Sequence, residues 1–544
     1  MSARAELPEL SAPAGHGRTT GVARTRADRN RRGLAAAAVL LLAMALSTHG
    51  LSAVVQDGGT DRLARSAAIP GQDLPVREHV LENGMRFLLL PREGAPIVSF
   101  VWHVPVGSVN ESLGTTGITH FLEHLFFKGT TTIGTRDVEA ELRLFDRIDA
   151  THDSLITARG ALPRPDEDEV QRLEARVLAL EDSARAYVIP NEYDRILSRE
   201  GARGMNATTS YEETQYFVEL PANRTQLWFV LEADRMRNPV FREFFTEREV
   251  IAEERRTRIE NSPGGTLYEE HMAAAFRVHP YGVSPTGHMD DIYRLTRPDV
   301  EAYHQLHYGP GNTTVAIVGD FEPDSAAAWA DRYFGPIPPR ASPPPVLVRE
   351  PEQRGERRIA VHHDAEPQLR VGWKIPSGYH PDAPALRMLS NLLTGGPDAR
   401  LHRRIVREER LASNVSAGRQ PGSRYPGLFT IQALPRSPHS PEDVEEAIYE
   451  VLGELMANPP SEEELDRVRI RLEAAEVRRL TSNRGLAFQL VESQAMWGDW
   501  QETFLTQQRM RDVQPGEIVA VIERYFTPDR RTVGILRRGE GATP

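Results

Sequence analysis

The chain of 544 residues contains no cysteine. Disulfides, thiolate metal sites and cysteine nucleophiles are therefore excluded, and any metal must be held by nitrogen and oxygen ligands. Lysine is nearly absent as well: Lys128 and Lys374 stand alone among 65 basic residues, the rest being arginine. The net charge is −12, so there is no basic surplus of the kind that binds nucleic acid. The one long apolar run, "GLAAAAVLLLAMALS", falls short of the ~20 residues a comfortable membrane span needs.

That run follows Arg24, Arg26, Arg29, Arg31 and Arg32, and "LSA" ending at Ala53 resembles a small-residue cleavage site. Residues 1–53 read as a secretory signal, with an uncleaved membrane anchor as the alternative, and 54–74 as a polar lead-in. The expected location is a bacterial periplasm or the exterior, with anchoring in the inner membrane under the alternative. A hydrophobic fraction of 40% and a charged fraction of 26% are ordinary for globular domains.

Two large regions, 75–335 and 357–538, flank a proline-rich stretch at 336–356 that reads as a linker, and 539–544 is a tail. The regions resemble each other. "FVWHVPVGS" from Phe100 and "VGWKIPSGY" from Val371 align Trp102 with Trp373, Pro105 with Pro376 and Gly107 with Gly378, at a constant offset of 271. Each reads as a strand rich in β-branched residues, a glycine turn and a helical run, which points to a duplicated unit. Between 139 and 202, two runs at helical spacing interrupted by "PRPDED" predict an antiparallel helical hairpin; the plain reading is a solvated insert.

The chemistry concentrates in "GTTGITHFLEHLFFKGT". His120, Glu123 and His124 sit in a strongly apolar run, where polar groups need partners. On a helix, positions i, i+3 and i+4 share a face. Two imidazoles one turn apart suit a single zinc, with the carboxylate placed to activate water, and H-x-x-E-H is the inverzincin order. The 271 offset carries these positions onto Asn391, Thr394 and Gly395, so only the first copy holds the set.

A catalytic zinc needs a third protein ligand and an open position. The helical run "FFTEREVIAEERRTRIEN" offers Glu247, Glu249, Glu253 and Glu254. Glu247 and Glu254 share one face, near Val250 and Ile251, whereas Glu249 and Glu253 fall on the charged side with Arg255 and Arg256.

The chain resembles the pitrilysin/insulinase metallopeptidases, in particular the bacterial branch similar to mitochondrial processing peptidase. The resemblance rests on "GSVNESLGTTGITHFLEHLFFKGT", "GMNATTSYEETQYFVELP", "EREVIAEE", "HPYG" at 279 and "YHQLHYGPGNTTVAIVGDF". It implies an α+β fold of two homologous domains, each an antiparallel sheet packed with helices, the first carrying the hairpin as an insert. It also implies one Zn2+ per chain on His120, His124 and Glu254, Glu123 as general base toward metal-bound water, and Glu247 supporting a zinc-binding histidine. The departure is the 130 positions from His124 to Glu254, longer than is usual for the family and accounted for by the hairpin.

The resemblance implies that "GMNATTS" is an edge strand on which an extended peptide could add, with Asn206 and Ala207 as substrate-binding positions. In the second domain it points to Arg424 and Tyr425 of "GRQPGSRYPGLFTI", near the substrate carbonyl. The implied activity is zinc-dependent endopeptidase action on extended peptides or unfolded segments. The alternatives are a non-catalytic partner subunit that kept the fold and, more remotely, a zinc hydrolase of other bonds. Because larger relatives fuse four such domains, a two-domain chain is expected to pair, as a homodimer or with a zinc-less homologue.

Overall fold

The computed structural model describes residues 74–539. The signal or anchor reading of 1–53, the lead-in up to residue 73 and residues 540–544 lie outside the described residues. Among the described residues, no helix is long and apolar enough to cross a membrane.

The fold is α+β, built on two sheets. The first has six strands: β1 (Arg77–Val80), β2 (Arg86–Pro91), β3 (Ile97–Val104), β4 (Arg203–Thr209), β5 (Thr214–Pro221) and β6 (Thr314–Gly319), in the order β1-β2-β6-β3-β5-β4. The second has five: β7 (Arg357–His363), β8 (Gln368–Ile375), β9 (Ala412–Gln420), β10 (Gly427–Pro435) and β11 (Arg531–Arg538), in the order β7-β11-β8-β10-β9. In each sheet one pair is parallel, β2 with β6 and β7 with β11, and the other pairings are antiparallel. Without β1 the two strand orders superimpose. β3 and β8 begin and end 271 positions apart, and Trp102 and Trp373 are both 1% exposed. The duplication is therefore a property of the topology as well as of the residues.

β3 is buried on both faces, even at Ser99 and His103. Helices cover both sides of the sheet, and one of them comes from the other domain. Helix Asn483–Trp497 lies against β3 and β6, packing Leu486, Leu490 and Val491 with Val101, Ala316 and Val318. In return, helix Pro263–Ala275 packs on β7, β8 and β11 of the second sheet. There His271 Nε2 meets the Thr532 carbonyl at 3.2 Å. Gly372 makes room for it, since a Cβ there would meet the imidazole at 2.9 Å. Each domain thus lends a helix to the other's sheet, and both sheets fall in one compact unit.

Residues 338–356 form neither helix nor strand. They are nonetheless tied down: the Glu350 carboxylate accepts from the amides of Arg277, Val278 and His279 at 2.9–3.1 Å, and Gln353 donates to the Arg531 carbonyl at 2.7 Å.

The insert is an antiparallel pair, Val138–Arg159 and Glu167–Arg185, followed by a short helix, Glu192–Arg199. Asp166 caps the second helix by accepting from Asp168 N and Glu169 N. Leu155, Val177, Leu180 and Ala184 form its buried seam. The outer face is solvated, but the base is not. Glu141 and Arg242 pair at 3.0 Å with both side chains fully out of solvent, and Arg242 also donates to the Thr130 and Ile133 carbonyls. Removing one partner strands a buried charge. Glu141→Ala is expected to lower unfolding free energy by ~3–5 kcal/mol, against less than ~0.5 kcal/mol for the exposed Arg147→Ala. Urea titration of both variants checks this; equal midpoints would show that the pair does not anchor the insert.

Candidate metal centre

Helix Ile118–Leu125 buries Ile118, Phe121, Leu122 and Leu125, with Phe121 packed on Phe244 at 4.7 Å between ring centroids. That apolar packing fixes the helix's rotation and turns His120, Glu123 and His124 toward a shared space. The helix starts abruptly after Gly117, whose φ of +87° suits glycine, and no side chain of that residue can cap it. Glu111 does so from a distance, accepting from Gly117 N at 2.8 Å and Thr119 N at 2.9 Å. Burial pushes the Glu111 carboxyl up to about 7, against the hydrogen bonds that favour its charge. Losing this cap in Glu111→Ala is expected to cost ~1 kcal/mol and to loosen the histidines it orients. Thermal melts with and without added zinc would show the first as a shift without metal and the second as a smaller zinc-induced rise. An unchanged melting temperature in both conditions would deny Glu111 the capping role.

Helix Phe244–Arg255 brings up the acid groups. His120 Nε2 and His124 Nε2 each lie 3.6 Å from a Glu254 oxygen, one on Oε1 and the other on Oε2. The three ligand atoms fall within 4.8 Å of one another, and among the described residues no other cluster of three such side chains does so. Two ligands ~2.1 Å from one tetrahedral ion stand roughly 3.4 Å apart, so this donor set fits a zinc-sized cation. Burial pushes His120 down to about 3, aided by His124 and Arg258, which leaves it a neutral imidazole near neutral pH. For His124, burial pulls the pKa down, but the Glu247 hydrogen bond and the Glu123, Glu247 and Glu254 carboxylates outweigh it and raise it.

Glu247 accepts from His124 Nδ1 at 3.2 Å and pairs with Lys128 at 2.6 Å. That bond leaves His124 Nε2 to face Glu254. One of the two lysines of the chain is thus placed behind the site, a role its sequence neighbourhood did not announce. Glu253 pairs with Arg256 and Glu249 accepts from Tyr293, both away from the histidines. Two expectations for this helix are corrected. Val250 is 44% exposed, so the buried face rests on Ile251 and Ala252. Arg255 is buried, reaching Glu269 at 2.9 Å and the Gly287 carbonyl, because the chain from Glu269 to Gly287 folds over it. Arg258, one turn beyond Glu254, pairs with the Glu254 carboxylate and is otherwise exposed.

Glu123 occupies the remaining side. Its Oε2 accepts from Thr209 Oγ1 at 2.5 Å. Burial raises its pKa, opposed by the Thr209 hydrogen bond and by His124, while Glu254 adds to the rise. Thr209 is the last residue of β4, the free edge of the first sheet. On β4, Asn206 is exposed and Ala207 is 9% exposed, paired with Phe217 and Tyr216 of β5. Among the described residues nothing pairs with this edge of β4, which runs up to the general-base candidate.

Arg424 and Tyr425 sit elsewhere, in the turn between β9 and β10. Glu212 accepts from the amides of Ser423 and Arg424 at 3.0 and 2.8 Å, and Arg424 Nη1 donates to the Pro105 carbonyl at 3.3 Å. Tyr425 packs on His279 and Tyr281. Both residues hold the second domain against the first rather than joining the His120–His124–Glu254 group.

In the second domain, helix Ala383–Thr394 follows β8 as Ile118–Leu125 follows β3. Asn391 and Thr394 donate to their own helix, Thr394 also accepts from Ala417 N at 3.1 Å, and a Cβ on Gly395 would meet Arg471 Nη1 at 2.7 Å. A guanidinium thus crowds the position that corresponds to His124.

Two histidines and a glutamate from two helices, beside a sheet edge in one of two duplicated α+β domains, make a donor set that could hold a metal ion. The family comparison makes this specific. Residues 87–147 and 179–287 match the model "Insulinase (Peptidase family M16)", and 294–472 match "Peptidase M16 inactive domain". The chain belongs to this family. The unmatched 148–178 falls within the helical hairpin. The zinc protease PqqE of Helicobacter pylori is 29% identical over 474 residues, covering 85% of this chain and 93% of that protein. A crystal structure of a Helicobacter pylori protease matches with a TM-score of 0.71 at 27% identity, over 85% of this chain and 99% of that one. The periplasmic protease PqqL of Escherichia coli matches in fold with a TM-score of 0.64 at 19% identity; the match covers 87% of this chain but 48% of PqqL.

Proposed function

We propose that the protein is a zinc endopeptidase that hydrolyses extended peptides or unfolded segments. The observation that carries the reading is the intact group at one point: His120, His124 and Glu254 as ligands, with Glu123 beside them at the end of the free edge of β4. Zinc bound there supplies Lewis acidity, polarising a carbonyl and acidifying water. The protein's own groups do the rest. β4 offers main-chain hydrogen bonds to an extended peptide near Asn206 and Ala207. Glu123, held by Thr209, takes a proton from the attacking water as its oxygen bonds to the carbonyl carbon. It returns the proton to the amine nitrogen as the C–N bond breaks. Glu247 and Lys128 fix the His124 ring. Quenched peptide libraries, with and without a chelator, test the reading: chelator-sensitive cleavage supports it, and no cleavage at any zinc level favours the non-catalytic subunit.

The chain is proposed to work in the periplasm, the location that PqqL's description carries, and to act in pairs. The fold of this chain corresponds to about half of PqqL, which supports two copies, or one copy and a zinc-less homologue, closing around a peptide. Confinement would position the carbonyl and exclude folded proteins. In a homodimer, Tyr425 of one copy is proposed to face the zinc site of the other. Mixing equal amounts of Glu123→Gln and Tyr425→Phe after subunit exchange should then regain about a quarter of wild-type activity, since half the dimers are mixed and each carries one complete site of two. A fully active monomer by light scattering would remove the pairing, and a fully active Tyr425→Phe would remove Tyr425 from the site.

A further inference from the structure

Helix Asn483–Trp497 belongs to the second domain by chain order, yet its Leu486, Leu490 and Val491 are committed to the back of the first sheet. Its opposite side, with Gln489 and Met496, is left facing helix Ala383–Thr394 across a gap. That gap is a cavity of about 1040 Å3. Ligand sites commonly measure ~300–1000 Å3, so this one has room for several linked residues.

We propose that this cavity binds the carboxylate-bearing end of an oligopeptide, gripped by Arg387, Arg419 and Arg479. The inference rests on the peptidase reading for the identity of its ligand. Arg387 and Arg479 both line the cavity, and their side chains make no hydrogen bond or ion pair among the described residues. Arg419 donates from Nη1 to the Pro376 carbonyl at 2.7 Å, while its Nη2 is buried without a partner. Gln489 Oε1 and Thr506 Oγ1 on the same wall are buried and unpartnered too. Unsatisfied groups of this kind are costly unless a ligand completes them.

Among the described residues, none of the acids lining the cavity makes an ion pair with Arg387, Arg419 or Arg479. Glu476 is occupied by Gln489. Burial, with Glu213 adding to it, lifts Glu492 to about 7, so it carries only part of a charge near neutral pH. Arg387 is exposed at the cavity's open side, yet the surrounding protein and the Arg479 charge lower its pKa, against the opposing pull of the Glu476 carboxylate. A planar guanidinium matches a carboxylate through two parallel hydrogen bonds. The edge-on Tyr379–Trp497 pair, 4.9 Å apart, and Met496 give side chains an apolar wall.

A peptide is favoured over a free anion by what the cavity adjoins. Its lining includes Ser423, whose amide is held by Glu212 in the turn that ends β4. The turn that follows β4 is thus in hydrogen-bond contact with the wall of the cavity.

The test is fluorescence polarisation with an N-terminally labelled hexapeptide, as the free acid and as the C-terminal amide. Glu123→Gln protein stripped with chelator is used, so no turnover is read. The free acid is expected to bind at least tenfold more tightly. Adding Arg387→Gln and Arg479→Gln, both exposed positions, should erase the difference while leaving amide binding in place. Each single substitution should erase part of it, which guards against misfolding of the double variant. Equal affinity of acid and amide, or a preference that survives both substitutions, overturns the proposal. Displacement of the peptide by ADP at lower concentration than by unlabelled acid also overturns it, in favour of a phosphate ligand. Because binding alone is read, a protein that shows the preference but cleaves nothing would refute the peptidase reading and leave the cavity's ligand class standing.

Discussion

Glu123→Gln should keep its zinc and lose about 10²–10⁴-fold in peptide hydrolysis, the range that a positioned general base contributes. The amide has the carboxylate's size and can still accept the Thr209 hydrogen bond seen at 2.5 Å, so the local packing and the ligand residues are left in place. What it loses is a basic oxygen for the water proton and, later, an acid for the leaving amine. Burial raises the Glu123 pKa, so its carboxylate is a stronger base toward the water proton than a free carboxylate would be. Steady-state cleavage of a quenched peptide, alongside zinc measured by elemental analysis after dialysis, separates the two effects. Wild-type turnover by the glutamine variant would show that another group takes the proton. Loss of zinc together with activity would make Glu123 a structural part of the metal site.

Removing a ligand should act on the metal itself. The wild-type chain is expected to retain about one zinc, and His120→Ala, His124→Ala or Glu254→Ala should retain almost none through dialysis, with activity lost in parallel. The 3.6 Å approach of Glu254 to both histidines makes it the bridge between the two helices. Glu247→Gln should weaken zinc more gently, by about 10–100-fold, since it acts through His124 Nδ1. Glu253→Ala, whose partner is Arg256, should leave zinc unchanged. If Glu253→Ala lost zinc while Glu254→Ala kept it, the ligand assignment would fail. Two tightly held zincs per chain would show that the second domain, crowded by Arg471 at Gly395, is not the empty copy.

The ligand helix was legible because its pattern is local. His120, Glu123 and His124 lie within one and a half turns, and helical geometry alone puts them on one face. The duplication was legible for a similar reason: Trp102 and Trp373 keep the same neighbours along the chain. The third ligand was only narrowed by spacing, since Glu247 and Glu254 share a face. Choosing between them needed the family resemblance, and their separate tasks follow from where two distant helices meet. Val250 and Arg255 were misread because periodicity does not reveal which side of a helix later chain segments will cover.

By itself, the sequence determined the chemistry on offer: no thiolate, an H-x-x-E-H helix, a run rich in glutamate, and one intact copy beside one erased copy. Those properties are carried by residue identity and short-range geometry. Only the tertiary structure decided which groups support the site. Glu111 reaches the helix start through a loop, Thr209 reaches Glu123 from 86 positions away, and Lys128 reaches Glu247 from the bend that follows the Ile118–Leu125 helix. It also decided that each domain lends a helix to the other's sheet, and so that a cavity opens behind Asn483–Trp497. Such contacts join residues far apart in the chain, and they depend on how whole layers pack, which no local pattern encodes.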